Sequence, residues 1–305
     1  MTTKGARPLF QVVAEPAALA VSALRTERAR SVLAVAGIVI GIVTVVLVAS
    51  VLANVRNQIA QLFRDLGTEN VFAFHLTGDP YSQPSAAEVE REPLDLRFVP
   101  ALKRLGTTIA DVGAQVIVPS TVGGQALVAR AGSNESDTVL VEGVSPTLLD
   151  IVGAEFSRGR PFTDLEDRQA ARVAIVSRAL FGSESPLGRT LTLAGDTYTV
   201  VGELQQRRGG FFGENRQDNV LNLPAGTVRQ RFGEPERVVI YMRAEPGRRA
   251  AAFGEAEAIL RVLRGLGPAA PNDFTLSTAD QIIATFDGLS ARIGLVTVGL
   301  AGVGL

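Results

Sequence analysis

The sequence predicts an α+β protein: an N-terminal transmembrane helix, an extracytoplasmic domain in which two β-α-β units form one sheet with an inserted β-rich subdomain, and the start of a second transmembrane helix. Three observations carry this reading. A run of 25 uncharged residues lies close to the N-terminus; strand-helix-strand patterns recur at both ends of the segment that follows; and hairpin signals crowd its middle. Composition agrees. Of 305 residues, 46% are hydrophobic but only 6% aromatic, an aliphatic surplus that a globular core does not fully absorb.

Residues 1–30 form a basic segment, with Lys4, Arg7, Arg25, Arg28 and Arg30 against Glu15 and Glu27. Ala14 to Ala29 has the pattern of an amphipathic helix lying on the cytoplasmic leaflet. Residues 31–55 read SVLAVAGIVIGIVTVVLVASVLANV. As a helix they reach roughly 37 Å, enough to cross a hydrocarbon core of about 30 Å. β-branched residues favour strands in water, but lipid admits only backbone that satisfies its own hydrogen bonds, which a single helix does. The basic flank puts the N-terminus in the cytoplasm. A signal peptide has a basic start too, but its apolar stretch is far shorter.

Residues 56–291 form the outer domain. Ile59, Leu62, Phe63 and Leu66 keep helical spacing and extend the membrane helix as a stalk that Gly67 ends. Residues 56–119 hold the first β-α-β unit: a strand Val71 to Leu76, a loop Gly78 to Pro93, a helix Phe98 to Leu105 and a strand Ala114 to Pro119. Residues 237–280 hold the second: strand Val238 to Arg243, helix Gly247 to Gly265 and strand Phe274 to Ser277. Between them, residues 120–236 are β-rich, with strands at Val122 to Ala131, Thr138 to Val144, Val173 to Val176 and Val220 to Leu223. A hairpin joins Thr190 to Ala194 and Thr197 to Val201 around Gly195-Asp196. Residues 292–305 carry 13 uncharged residues after Arg292. Alone they are too short to span, so they read as a second membrane helix cut short, the alternative being a buried terminal helix.

Several function classes fall away. A net charge of −1 lacks the basic field that nucleic acid requires. Without cysteine there is no disulfide, thiolate nucleophile or Cys-based metal site. The two lysines, Lys4 and Lys103, lie outside any Gly-Lys-Ser/Thr phosphate loop, so the chain has no Walker A site. No catalytic residue, metal site or cofactor is expected. Asp164, Glu166 and Asp167 are the densest carboxylate cluster, but Thr163-x-x-Glu166 is a capping box and a helix start accounts for it better than a cation or a hydrolytic site. His75, inside a strand-like segment, reads as structural.

Two features remain as contact candidates. Gly37 and Gly41 form a G-x-x-x-G, the spacing that lets another helix approach closely. Arg207, Arg208, Phe211 and Phe212 lie on the glycine-hinged loop Gln205 to Asn219 and offer a surface to a substrate or partner.

The segments Leu24-Arg25-Thr26-Glu27-Arg28-Ala29-Arg30-Ser31 and Gly37-Ile38-Val39-Ile40-Gly41 resemble the N-terminal signature of MacB-like and FtsX-like ABC permeases. Leu66-Gly67-Thr68-Glu69-Asn70, Glu142-Gly143-Val144-Ser145-Pro146, Gly159-Arg160-Pro161-Phe162, Ser185-Pro186-Leu187-Gly188-Arg189-Thr190 and Tyr198-Thr199-Val200-Val201-Gly202 are similar in order and spacing to the MacB-like periplasmic core domain. Glu27 departs from the Asn frequent there. The resemblance implies a non-enzymatic permease subunit that works with a separate cytoplasmic ATPase and pairs as a homodimer or heterodimer in the membrane lipid. It implies, too, that motion passes through the stalk to an outer domain that meets an amphiphile, peptide, lipoprotein or envelope partner. A singly anchored receptor is the rival reading.

Overall fold

A computed structural model describes residues 28–65, 69–76, 85–132, 134–177, 181, 185–205 and 219–303. The chain divides into two units, one holding residues 28–54 and 288–303 and the other residues 55–287.

The first unit is helical. Helix α1 (Arg28–Asp65) runs 38 residues without a break, and its stretch Val35–Asn57 is long and apolar enough to cross a membrane. Two of its hydroxyls are satisfied internally: Thr44 donates to the Ile40 carbonyl at 2.8 Å and Ser50 to that of Val46 at 2.7 Å.

In the second unit β1 (Asn70–Phe74) is followed by α2 (Ala86–Val89), α3 (Phe98–Leu105) and β2 (Ile109–Ile117). Part of the expected loop over 78–93 is thus a helical turn, closed by a capping box between Ser85 and Glu88. Strand β2 starts five residues before its predicted position, because pairing with a later strand extends it to Ile109.

The middle contributes β3 (Thr121–Val122), β4 (Gln125–Ala126), β5 (Ala129–Ala131), β6 (Asn134–Ser136), β7 (Leu140–Val144), α4 (Pro146–Ile151), β8 (Phe156–Gly159), α5 (Asp164–Arg168), β9 (Val173–Val176), β10 (Thr190–Leu193), β11 (Asp196–Leu204), β12 (Val220–Pro224) and α6 (Ala225–Phe232). Two expectations are corrected here. The strand expected over Val122 to Ala131 is broken into a hairpin and a separate strand, since Gly123 and Gly124 both take left-handed φ angles of 59° and 78°. The later hairpin turns on Ala194-Gly195, with φ of 50° and 84°, not on Gly195-Asp196. Asp196 instead pairs with Leu193 while Arg231 and Arg172 hold its carboxylate.

The chain closes with β13 (Val238–Ala244), α7 (Arg249–Leu263), β14 (Thr275–Thr278) and α8 (Ala279–Val303). The final apolar run is the second half of this 25-residue helix, and Leu295, Val296 and Val298 are exposed, which the buried-helix alternative does not predict.

Strands β14-β1-β13-β2 lie side by side, all antiparallel. This is the split β-α-β arrangement, assembled from both ends of the domain. The sheet continues through β7-β12-β9-β11-β10-β5-β6, so the inserted segment extends it. Val71, Ala73, Val112, Ala114, Val116, Val238, Ile240 and Met242 pack one face against Leu102 of α3 and Ala252, Ala256 and Leu260 of α7. On the other face α4 approaches β2 so closely that a Cβ at Gly113 would lie 2.7 Å from the Leu148 Cα.

Candidate functional site

Neighbouring strands β1 and β14 lead to the two apolar helices. Val71 of β1 pairs with Thr278 of β14; α1 ends five residues before β1, and α8 starts directly after β14. This second junction is stiffened by a reciprocal cap, in which the Thr278 backbone N–H donates to Gln281 Oε1 at 2.9 Å and the Gln281 N–H to Thr278 Oγ1 at 3.4 Å. Between the helices the Arg56 guanidinium donates to both carboxylate oxygens of Asp287, at 2.6 and 3.1 Å. Such a fork fixes direction as well as distance.

Above it, Arg249 at the start of α7 pairs with Asp280 in the first turn of α8 at 2.6 Å. These two residues, with Glu69, Gly247 and Ala250, line an open cavity of about 450 Å³. Glu69 Oε2 is buried there without a hydrogen-bond partner. A further carboxylate secures α7 itself: Glu255 accepts the backbone N–H and hydroxyl of both Thr107 and Thr108 at 2.6 to 2.8 Å. Desolvation opposes ionisation there, but the four bonds win and hold its pKa at about 2. The arrangement holds no nucleophile and base. It is a joint built of forks and caps, in which Arg56 is tied to Asp287, Arg249 to Asp280 and Thr278 to Gln281.

In the helical unit, Gly41, Val45, Val48 and Leu52 of α1 are partly sheltered while the described residues between them are exposed. Their spacing of four, three and four is that of a helix-packing seam. On α8, Ser290, Gly294 and Thr297 are likewise partly sheltered. Of the G-x-x-x-G pair, Gly41 lies on this stripe and Gly37 is exposed.

Arg207, Arg208, Phe211 and Phe212 lie outside the described residues. Of the carboxylates Asp164, Glu166 and Asp167, the last two are occupied by structural work. Thr163 and Glu166 cap α5 reciprocally, and Arg160 bonds both Glu166 oxygens at 2.6 and 2.8 Å, holding that carboxyl at about 2. Asp167 accepts the Gly226 N–H at 2.8 Å. Among the described residues no group of three or more His, Asp or Glu side chains is placed to hold a metal. His75 is buried, and burial followed by the charges of Arg237, Arg264 and Arg91 lowers its pKa, keeping it neutral. Sequence reasoning missed Arg56, Asp287 and Glu255: their partners lie 231 and about 148 residues away, and no local pattern marks them.

The model of the MacB-like periplasmic core domain family matches residues 31–258. A macrolide export ATP-binding/permease protein, MacB, of Aggregatibacter actinomycetemcomitans is 24% identical over 296 residues, 94% of this chain and 42% of that protein. Its counterpart in Bradyrhizobium diazoefficiens is 26% identical over 94% of this chain and 42% of its own length. The chain therefore spans less than half the length of these relatives. Among solved structures, the periplasmic region of MacB from Actinobacillus actinomycetemcomitans superposes with a TM-score of 0.58 at 19% identity, covering 75% of this chain and 97% of that one. The extracellular domain of the noncanonic ABC-type transporter YknZ from Gram-positive bacteria gives 0.51 at 19% identity, covering 68% and 100%. Both likenesses are of fold.

Proposed function

The chain belongs to the MacB-like periplasmic core domain family, and from that premise we propose that it is a permease subunit of an ABC transporter, transmitting motion from a separate cytoplasmic ATPase to its outer domain. On this reading residues 1–30 are cytoplasmic, 31–55 span the membrane, 56–291 lie outside the cell membrane, with 120–236 as the inserted subdomain, and α8 returns toward the cytoplasm. The permease pairs with a second copy or another permease. Its task is efflux or extraction of an amphiphile, peptide or lipoprotein.

The observation that carries the proposal is the joint. Two apolar helices that enter one sheet through adjacent strands, forked together by Arg56 and Asp287, move that sheet when they move. ATP drives this only if it binds one arrangement better than another.

The test is purification of the full-length protein with its membrane. Recovery of a nucleotide-binding subunit whose ATPase rate depends on the permease is expected, and Arg56→Ala should lower that dependence without dissociating the complex. Absence of any such subunit, or a rate indifferent to the permease, counts against transport. Arg207, Arg208, Phe211 and Phe212 are proposed as substrate or partner contacts, so replacing both phenylalanines by serine should weaken cargo handling while ATPase coupling survives. A tag after Leu305 should map to the cytoplasmic side; a singly anchored receptor predicts the opposite side.

A further inference from the structure

The segment Glu142-Gly143-Val144-Ser145-Pro146 is explained by packing except at its first residue. A Cβ at Gly143 would meet Val228 of α6 at 2.9 Å, Ser145 caps α4 and bonds the Ala114 N–H at 2.9 Å, and Pro146 opens the helix. Glu142 has no such role. It sits on β7 at the only step of the sheet path, among the described residues, that joins β14-β1-β13-β2 to the inserted strands. That step is short, with three residue pairs between β2 and β7 against seven between β2 and β13.

A polar chain crosses this seam. Tyr241 of β13 donates its hydroxyl to Gln115 Oε1 at 2.8 Å, and the Gln115 side chain is the hydrogen-bonding partner of the Glu142 carboxyl. On the other side Asn222 of β12 is in register with Glu142, and its buried Oδ1 has no partner. Other charged groups on the packed elements are engaged or turned away. Asp111 of β2 is taken by Arg243 and Lys103. Asp150 of α4 is exposed, as are Arg229 and Arg231 of α6, which covers the Gly143 face, opposite Glu142. Glu142 is half-buried; desolvation is the main influence on it, ahead of Gln115, and pushes its pKa up to about 7. Tyr241 is raised in turn by burial and then by Glu142.

We propose that Glu142, Gln115, Tyr241 and Asn222 form a proton-operated latch between the inserted segment and the terminal half of the sheet. With its proton, the Glu142 carboxyl is neutral and has an O–H to offer the waiting Asn222 oxygen. Without it, a half-buried carboxylate with no cationic partner among the described residues favours opening of the three-pair seam. The sign follows. The folded pKa is raised, so the seam is tightest below the ordinary carboxylate range and loosens as pH climbs from about 4.5 to about 7. The latch goes beyond the transport reading and does not rest on it.

Hydrogen exchange on the full chain, corrected for intrinsic rates, tests it. The opening constant of the β2 and β7 amides should rise on the order of tenfold between about pH 5.5 and about pH 8.5, and Glu142→Gln should abolish the rise. A wild type without that rise, or a variant that keeps it, overturns the latch. A second reading needs no variant: the carboxyl carbon resonance of Glu142 should titrate with a midpoint near 7, and a midpoint in the ordinary carboxylate range overturns it equally.

Discussion

The terminal half of the sheet, β14-β1-β13-β2 with α3 and α7, and the inserted segment from β3 to α6 are closed by contacts of different range. In the terminal half, Glu255 reaches Thr107 and Thr108 across about 148 residues, Tyr241 reaches Gln115 across 126, and Arg264 reaches the Pro93 carbonyl across 171. In the insert, Arg160 and Glu166 are 6 apart, Arg130 and Glu135 are 5 apart, and Asn219 meets Ser136 across 83. Loop closure penalises the long contacts more. The insert can therefore form from its own hairpins and caps, whereas the terminal half waits for β13 and β14 to return. It needs both ends of the domain, since β1 pairs with both β13 and β14.

The largest test of this difference is Leu260→Ala. Leu260 is fully buried under β1 and β13, and its truncation should cost about 2–5 kcal/mol. In urea, exchange protection should be lost in β1, β13 and β14 before β10 and β11; simultaneous loss would erase the distinction drawn above. Next comes Glu255→Ala, with an expected cost of about 1–3 kcal/mol at neutral pH. The Glu255 pKa is lowered to about 2, so its contribution is complete above the unfolded value and disappears as pH falls toward 2. Wild-type and variant unfolding curves should converge in acid, and a gap persisting there means the carboxylate was not the source.

The insert's counterpart is Glu166→Gln, also held at about 2 by Arg160 and Thr163. Its contacts are local and partly solvated, so a loss of about 0.5–1 kcal/mol is expected, again over the acid window. A cost matching that of Glu255→Ala would contradict the local character assigned to the insert. Smallest, and opposite in sign, is Ala194→Gly. Ala194 holds a left-handed φ of 50°, and glycine should gain up to about 1 kcal/mol there, read as a higher melting temperature.

Much of this architecture was legible because it is written locally. The charge-free run makes α1, the Thr163-x-x-Glu166 capping box is present, and strands Val173–Val176 and Val220–Pro224 follow apolar runs. Misreadings came where a neighbour in space counted: β2 is lengthened by β13, and Asp196, expected in the hairpin turn, pairs with Leu193 while two arginines hold its carboxylate. The candidate joint left no trace, since Arg56 and Asp287 look like ordinary flanking charges.

By itself the sequence determined the span, the basic flank, the strand-helix-strand units at the two ends and the absence of a Walker A lysine. Each depends on residues within a few turns of one another. Only the tertiary structure decided that β1 and β14 are neighbours, that an arginine forks a carboxylate 231 residues away, and that Glu142 is in register with Asn222, whose buried Oδ1 has no partner. Such pairings depend on strand order and register, which side-chain periodicity constrains to a face but does not assign to a partner.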